Sequence, residues 1–200
     1  MDEPFLSYLI LGSLTRKARE LDGKPEPVAR ELLGKWIEES GKWIISRKSD
    51  LGDSIMTAII WSAAPKLNFF NLFKEKAFHF TDLGRLRVQE TERVVALRTE
   101  LTKCGAKVVE EGDTLTVWPS PLHGAEIETY NDHRMAMCFA ILGLKVPGIK
   151  IKNPACVKKT FPNFFQKLAA APPQGLGVEI WEIKDGRRTR KLSGDDLFAD

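Results

Sequence analysis

Apolar and polar positions change their period several times along this chain, and the changes mark its elements. Leu6 to Leu14 is a short apolar run that predicts a buried helix. Pro27 to Ser40 sets Val28, Leu32, Leu33, Trp36 and Ile37 on one face at helical spacing, with Gly41 as the stop. "KWIIS" predicts a short strand, followed by a polar turn and an apolar helix from Ser54 to Ala64, closed by Pro65. The aromatic-rich "LNFFNLFKEK" reads as a connection. The period then drops to two, because Phe78 and Phe80 flank His79 as in a half-buried strand. Thr91 to Cys104 carries Val94, Val95, Leu97 and Leu101 and predicts a helix ending at Gly105. "AKVV" and "TLTVW" face each other across a turn containing Gly112 and Asp113, the pattern of a hairpin. A helix with Met135, Met137, Phe139 and Leu142 in the core, a strand in "GIKIKNP" and a helix in "FPNFFQKLAA" follow. Helices and strands thus interleave, with hairpins between them, which predicts an α/β fold.

The segment from Pro172 opens with "PPQGLG" and continues as a hairpin, "GVEIWEI" and "TRKLS". It divides the chain into a main unit, 1–171, and a linker with a C-terminal extension, 172–200. Removal of that extension is expected to leave any binding site upstream intact.

With 200 residues, 43% of them hydrophobic, the chain is long and apolar enough for a globular core. Its 30 basic and 27 acidic residues are mixed, giving a net charge of +3, so small anions are better partners than nucleic acid. Arg187, Arg188, Arg190 and Lys191 accordingly read as a solvated strand or turn. Cys104, Cys138 and Cys156 are odd in number and lack CxxC spacing, which fits a reducing compartment. The acidic start "MDEP" is unlike a signal peptide, and Leu6 to Leu14 is too short to cross a bilayer. No membrane partner and a cytoplasmic location are expected.

Polar residues gather just before three of the apolar helices: Asp53 precedes "SIMTAII", "RLRVQETER" leads into the helix of Val94, and "NDHR" opens the helix of Met135. A helix start has unpaired backbone N–H groups and the positive end of the dipole, so such clusters can hold an anion or supply an acid and a base. They can equally be plain caps. Both readings stay open for each cluster by itself.

The order and spacing of "RLRVQETERVVALRTELTKCGA", "ETYNDHRMAMCFAILGL" and "NPACVKKTFPNFFQKL" add a different kind of information. Together they resemble one enzyme family, 3-phosphoshikimate 1-carboxyvinyltransferase, also called EPSP synthase. The resemblance is strongest over 77–168 and continues more weakly through "DLGDSIMTA" to Ser7 and Tyr8. It implies transfer of a carboxyvinyl group from phosphoenolpyruvate to the 5-hydroxyl of shikimate 3-phosphate, in aromatic amino-acid biosynthesis, without metal or organic cofactor. It also implies a two-lobed enzyme whose lobes are built from βαβαββ units, of which this chain is similar to the second.

Site residues follow from the same resemblance. Asp53 matches a substrate-binding aspartate able to take the proton of the attacking hydroxyl, and Glu90 matches a proton donor. Arg93 and Arg134 match phosphoenolpyruvate ligands, His133 a substrate contact, and Lys159 a lysine near the leaving phosphate. Gln89 stands where the family pattern "RVKE" has lysine. No stretch resembles the lysine, arginine and glycine-rich motifs of the first lobe, so a first-lobe chain is an expected partner. A non-catalytic anion-binding or interaction module that kept the fold is the alternative.

Overall fold

The computed structural model describes residues 43–64 and 77–199. The expected helices at Leu6 to Leu14 and Pro27 to Ser40, the Ser7–Tyr8 match and the connection at 67–76 lie outside the described residues.

Among the described residues the main sheet has four strands: β1 (Ile44–Ser46), β2 (Phe78–Thr81), β3 (Lys107–Glu111) and β4 (Thr114–Trp118). Their order across the sheet is β1-β2-β4-β3. β1 and β2 are parallel, pairing Ile44 with His79 and Ser46 with Thr81. Parallel neighbours need a crossover, and helix α1 (Ile55–Ser62) lies between them in sequence. Helix α2 (Arg93–Lys103) then leads to β3, and β3 turns through Gly112 and Asp113 into β4, which pairs antiparallel with both β3 and β2. The sequence of elements is therefore βαβαββ, the unit expected.

Each element is explained by the side chains it buries. Along β2 Phe78 and Phe80 are buried while His79 is exposed, and Leu115 and Val117 of β4 point to the same core. Nearly every residue of α1 is buried, since this helix is apolar all round and packs against the sheet, α2 and a third helix, α3 (His133–Gly143). α2 is amphipathic: Val94, Leu97 and Leu101 form the buried stripe. Val95, expected with them, is exposed because it sits 100° further round the helix. Gly105 ends α2 at φ +91°, a conformation that favours glycine.

After the sheet, β5 (Glu126–Ile127) and β6 (Lys150–Ile151) pair in parallel across α3. α3 buries Met135, Phe139 and Leu142 as expected, whereas Met137 is only partly buried, against a second apolar cluster. The three cysteines are free and buried; Cys138 lies 3.3 Å from the Thr57 hydroxyl, and burial pushes its thiol up to about 11.

That second cluster is built by α4 (Phe164–Ala169) and the C-terminal segment. The hairpin appears as β7 (Ile180–Lys184) and β8 (Arg187–Leu192). Its opening, expected to be a linker, is instead packed on α4. Leu176, Leu197 and Ala199 are buried against Phe164, Phe165 and Leu168. The Gly177 N–H donates to the Ala170 carbonyl at 2.8 Å, Val178 to Leu168 at 3.0 Å, and Ala199 to Pro162 at 3.0 Å. Gly175 is required here, since a Cβ would fall 2.2 Å from the Lys167 carbonyl oxygen. The basic cluster of the tail lies on the exposed strand β8, as expected, where Arg190 pairs with Asp196 and Lys191 with Glu179, both at 2.7 Å.

Truncation after Ala171 is therefore expected to destabilise the fold by about 2 to 3 kcal/mol, from two buried leucines less the entropy of ordering the hairpin. Urea unfolding of full-length and truncated chains measures this, and equal midpoints would show the tail to be an independent appendage.

Candidate active site

The parallel strands decide where the polar residues meet. In an open sheet with parallel strands, the crevice beyond their carboxyl ends is where loops from neighbouring units converge. Here β1 runs into Arg47 and then Asp53, β2 into Gln89, Glu90 and Arg93, β5 into Asp132, His133 and Arg134, and β6 into Lys159. All seven residues expected at the site are at these ends, and the side-chain contacts below join six of them.

Arg93, the first residue of α2, is at the centre and is almost completely buried. Its Nε donates to Asp132 Oδ2 at 2.7 Å and Nη2 to Asp132 Oδ1 at 3.2 Å, the two-pronged geometry natural to guanidinium and carboxylate. Nη2 also donates to Glu90 Oε2 at 2.7 Å, and Nη1 to the Gln89 side-chain oxygen. The Gln89 amide in turn donates to Asp53 Oδ2 at 3.3 Å, so it bridges Arg93 and Asp53.

Asp53 collects cations. Arg47 Nε donates to Oδ1 at 3.0 Å, with a second bond from Nη2, and Arg134 Nη2 lies 3.4 Å from Oδ2. Asp132, fully buried, accepts the Arg134 backbone N–H at 2.8 Å and so caps α3 while also holding Arg93. The capping and charge-binding readings of "NDHR" are thus one arrangement.

Glu90 is gripped from two sides, by Arg93 and by Lys159, whose Nζ donates to Oε1 at 2.7 Å. The Lys159 hydrogen bond, with Arg93 adding its charge, holds the Glu90 carboxyl down to about 2. A carboxyl lowered in the folded state favours folding above its ordinary value, and that contribution is lost as pH falls toward 2. His133 is nearly buried, and burial lowers its pKa, so its imidazole is neutral at pH 7.

Two members were missed in the sequence. Arg47 belongs to the polar turn after β1, and its signal was an arginine six residues ahead of Asp53 at a strand-to-helix junction. Asp132 was seen only as one member of the "NDHR" cluster, with no role of its own. Among the described residues no group of three or more His, Cys, Asp or Glu side chains is placed to hold a metal ion.

A βαβαββ unit with arginines, a lysine and carboxylates converging at strand ends defines an α/β lobe with a charged cluster at its strand ends, and comparison with known proteins narrows it. The family model described as EPSP synthase (3-phosphoshikimate 1-carboxyvinyltransferase) matches residues 24–168. The 3-phosphoshikimate 1-carboxyvinyltransferase of Photobacterium profundum is 41% identical over 143 residues, 70% of this chain and 33% of the relative. That of Nostoc punctiforme is 48% identical over 95 residues, 48% of this chain and 22% of the relative. A solved EPSP synthase from Acinetobacter baumannii superposes with a TM-score of 0.51 at 28% identity, covering 62% of this chain and 27% of that one. The chain belongs to the EPSP synthase family. It spans about a third of the length of the Photobacterium relative it matches.

Proposed function

We propose that this chain forms the second lobe of a 3-phosphoshikimate 1-carboxyvinyltransferase, transferring the carboxyvinyl group of phosphoenolpyruvate to the 5-hydroxyl of shikimate 3-phosphate. The observation that carries this reading is the meeting of Arg47, Arg93, Arg134 and Lys159 with Asp53 and Glu90 at the carboxyl ends of four strands.

The chemistry asks for two opposite proton transfers. As the hydroxyl oxygen bonds to C2 of phosphoenolpyruvate, its proton goes to Asp53, while the methylene carbon takes a proton from Glu90. Departure of phosphate from C2, with return of a proton from the new methyl group to the Glu90 carboxylate, restores the double bond. Arg93 and Arg134 grip the phosphoenolpyruvate anion, and the compact ammonium of Lys159 neutralises the departing phosphate. His133, neutral, supplies a hydrogen bond.

Glu90 as found is ionised, held so by Lys159 and Arg93. It becomes a proton donor when the incoming anion draws those two cations away, which lets its pKa rise. Asp53, meanwhile, already has Arg47 on Oδ1, leaving Oδ2 as the oxygen that faces Gln89, Arg134 and a substrate.

Titration calorimetry with phosphoenolpyruvate tests the anion-binding half of this reading. Arg134→Ala is expected to weaken binding by about 1.5 to 3 kcal/mol, the range for a charge-assisted contact, without unfolding the chain. Unchanged affinity would remove Arg134 from the site.

A further inference from the structure

Glu100 is fully buried, seven residues after Arg93 on α2, and has no part in the chemistry above. Seven residues are about two turns, so both side chains leave the same face about 10 Å apart. Both also grasp the same loop. Arg93 holds its end, at Asp132, while Glu100 holds its beginning. Glu100 Oε1 accepts the Tyr130 hydroxyl at 2.7 Å, and Oε2 accepts the Glu128 backbone N–H at 3.1 Å and Lys103 Nζ at 2.7 Å.

The loop needs such a hold. Tyr130 and Asn131 are consecutive non-glycine residues in the left-handed region, at φ 54° and 55°. Backbone of this kind persists where its surroundings fix it. Between the two Glu100 contacts lies Thr129, also fully buried, whose hydroxyl donates to the Lys152 carbonyl at 2.9 Å. The left-handed pair then turns the chain directly into Asp132, His133 and Arg134.

We infer that Glu100 is a positioning residue of the anion site: through the Tyr130 hydroxyl and the Glu128 N–H it fixes the turn that aims Asp132, His133 and Arg134 at the ligand. The inference rests on the proposed anion site, and only its ligand arm depends on phosphoenolpyruvate being the anion.

The test uses the full chain as wild type, Tyr130→Phe and Glu100→Gln. The Arg134 backbone amide and the Arg93 Nε–H are reporters in 1H–15N correlation spectra, followed by titration with phosphoenolpyruvate. Tyr130→Phe removes one hydroxyl from a partly exposed ring, and is expected to keep a dispersed spectrum, shift both reporters and raise the Kd about tenfold. Glu100→Gln is expected to do the same or more; if it fails to fold, Tyr130→Phe alone decides. Unmoved reporters in a folded variant overturn the inference, as do moved reporters with a wild-type Kd. Should the wild type not bind phosphoenolpyruvate, the proposed function fails instead. Reporter shifts without loss of dispersion would then still support the positioning role, and unmoved reporters would overturn it.

Discussion

Given phosphoenolpyruvate and shikimate 3-phosphate, the 200-residue chain alone is expected to release no phosphate above background, although it carries Asp53, Glu90, Arg93, Arg134 and Lys159. Under the proposed function its charges would line one side of the reacting atoms. Lys159 is largely exposed and Glu90 partly so, which leaves both in contact with water, where an ion pair is worth a small fraction of its value in an enclosed site. Positioning is lost as well, and it supplies about 7 to 11 kcal/mol of a barrier in favourable cases. Phosphate release is measured with and without a separately expressed first lobe of a related enzyme. Activity only in the mixture supports the proposed second lobe, and clear turnover by the chain alone would show that it closes a site by itself. Absence in both points to the non-catalytic reading. Gln89→Lys is then the first substitution to try. Lysine can replace the Gln89 donor to Asp53 but cannot accept from Arg93, so it would free that guanidinium for ligand.

Arg93→Ala is expected to destabilise the chain by about 3 to 5 kcal/mol, far more than Arg134→Ala, because it strips the partner from a fully buried carboxylate. Asp132 would keep only the Arg134 N–H among the contacts described, and Glu90 would lose one of its two cations. Arg93→Lys is not expected to rescue it, since an ammonium cannot reproduce the two parallel bonds from Nε and Nη2. The urea midpoint at unchanged slope reads out the loss. A fall of less than about 1 kcal/mol would mean that Asp132 escapes the cost by taking up a proton or a water.

Much of this fold was legible because its elements are locally consistent. Phe78, Phe80, Leu115 and Val117 alternate as strands must, and Gly112–Asp113 supplies the turn that sets the β3–β4 register. The candidate site residues were picked out through long ordered motifs, and the structure brings Asp53, Gln89, Glu90, Arg93, Arg134 and Lys159 into contact. Arg47 was not, because an arginine in a polar turn has the pattern of a solvated residue, and nothing local marks its folding back onto Asp53 six positions on. Glu100 was hidden for a similar reason. A lone glutamate on an amphipathic helix has the pattern of a solvated residue, and its burial depends on Tyr130 thirty positions later. The docking of the tail likewise depends on contacts among Leu176, Leu197 and Phe165 that no local period announces.

Each guanidinium at the strand ends is already satisfied by an internal carboxylate: Arg47 and Arg134 by Asp53, and Arg93 by Asp132 and Glu90. Under the proposed function, ligand capture there would be a substitution reaction, in which a bond to an incoming oxygen forms as a bond to a resident one is given up. The resident carboxylates act as stand-ins that keep the lobe folded and its cations aligned before any ligand arrives. They would also set a threshold under the proposed function. A singly charged ion would gain little over the carboxylate it must displace, whereas a multiply charged phosphate ester would gain with each further cation it engages, so the unliganded protein would already discriminate by charge number.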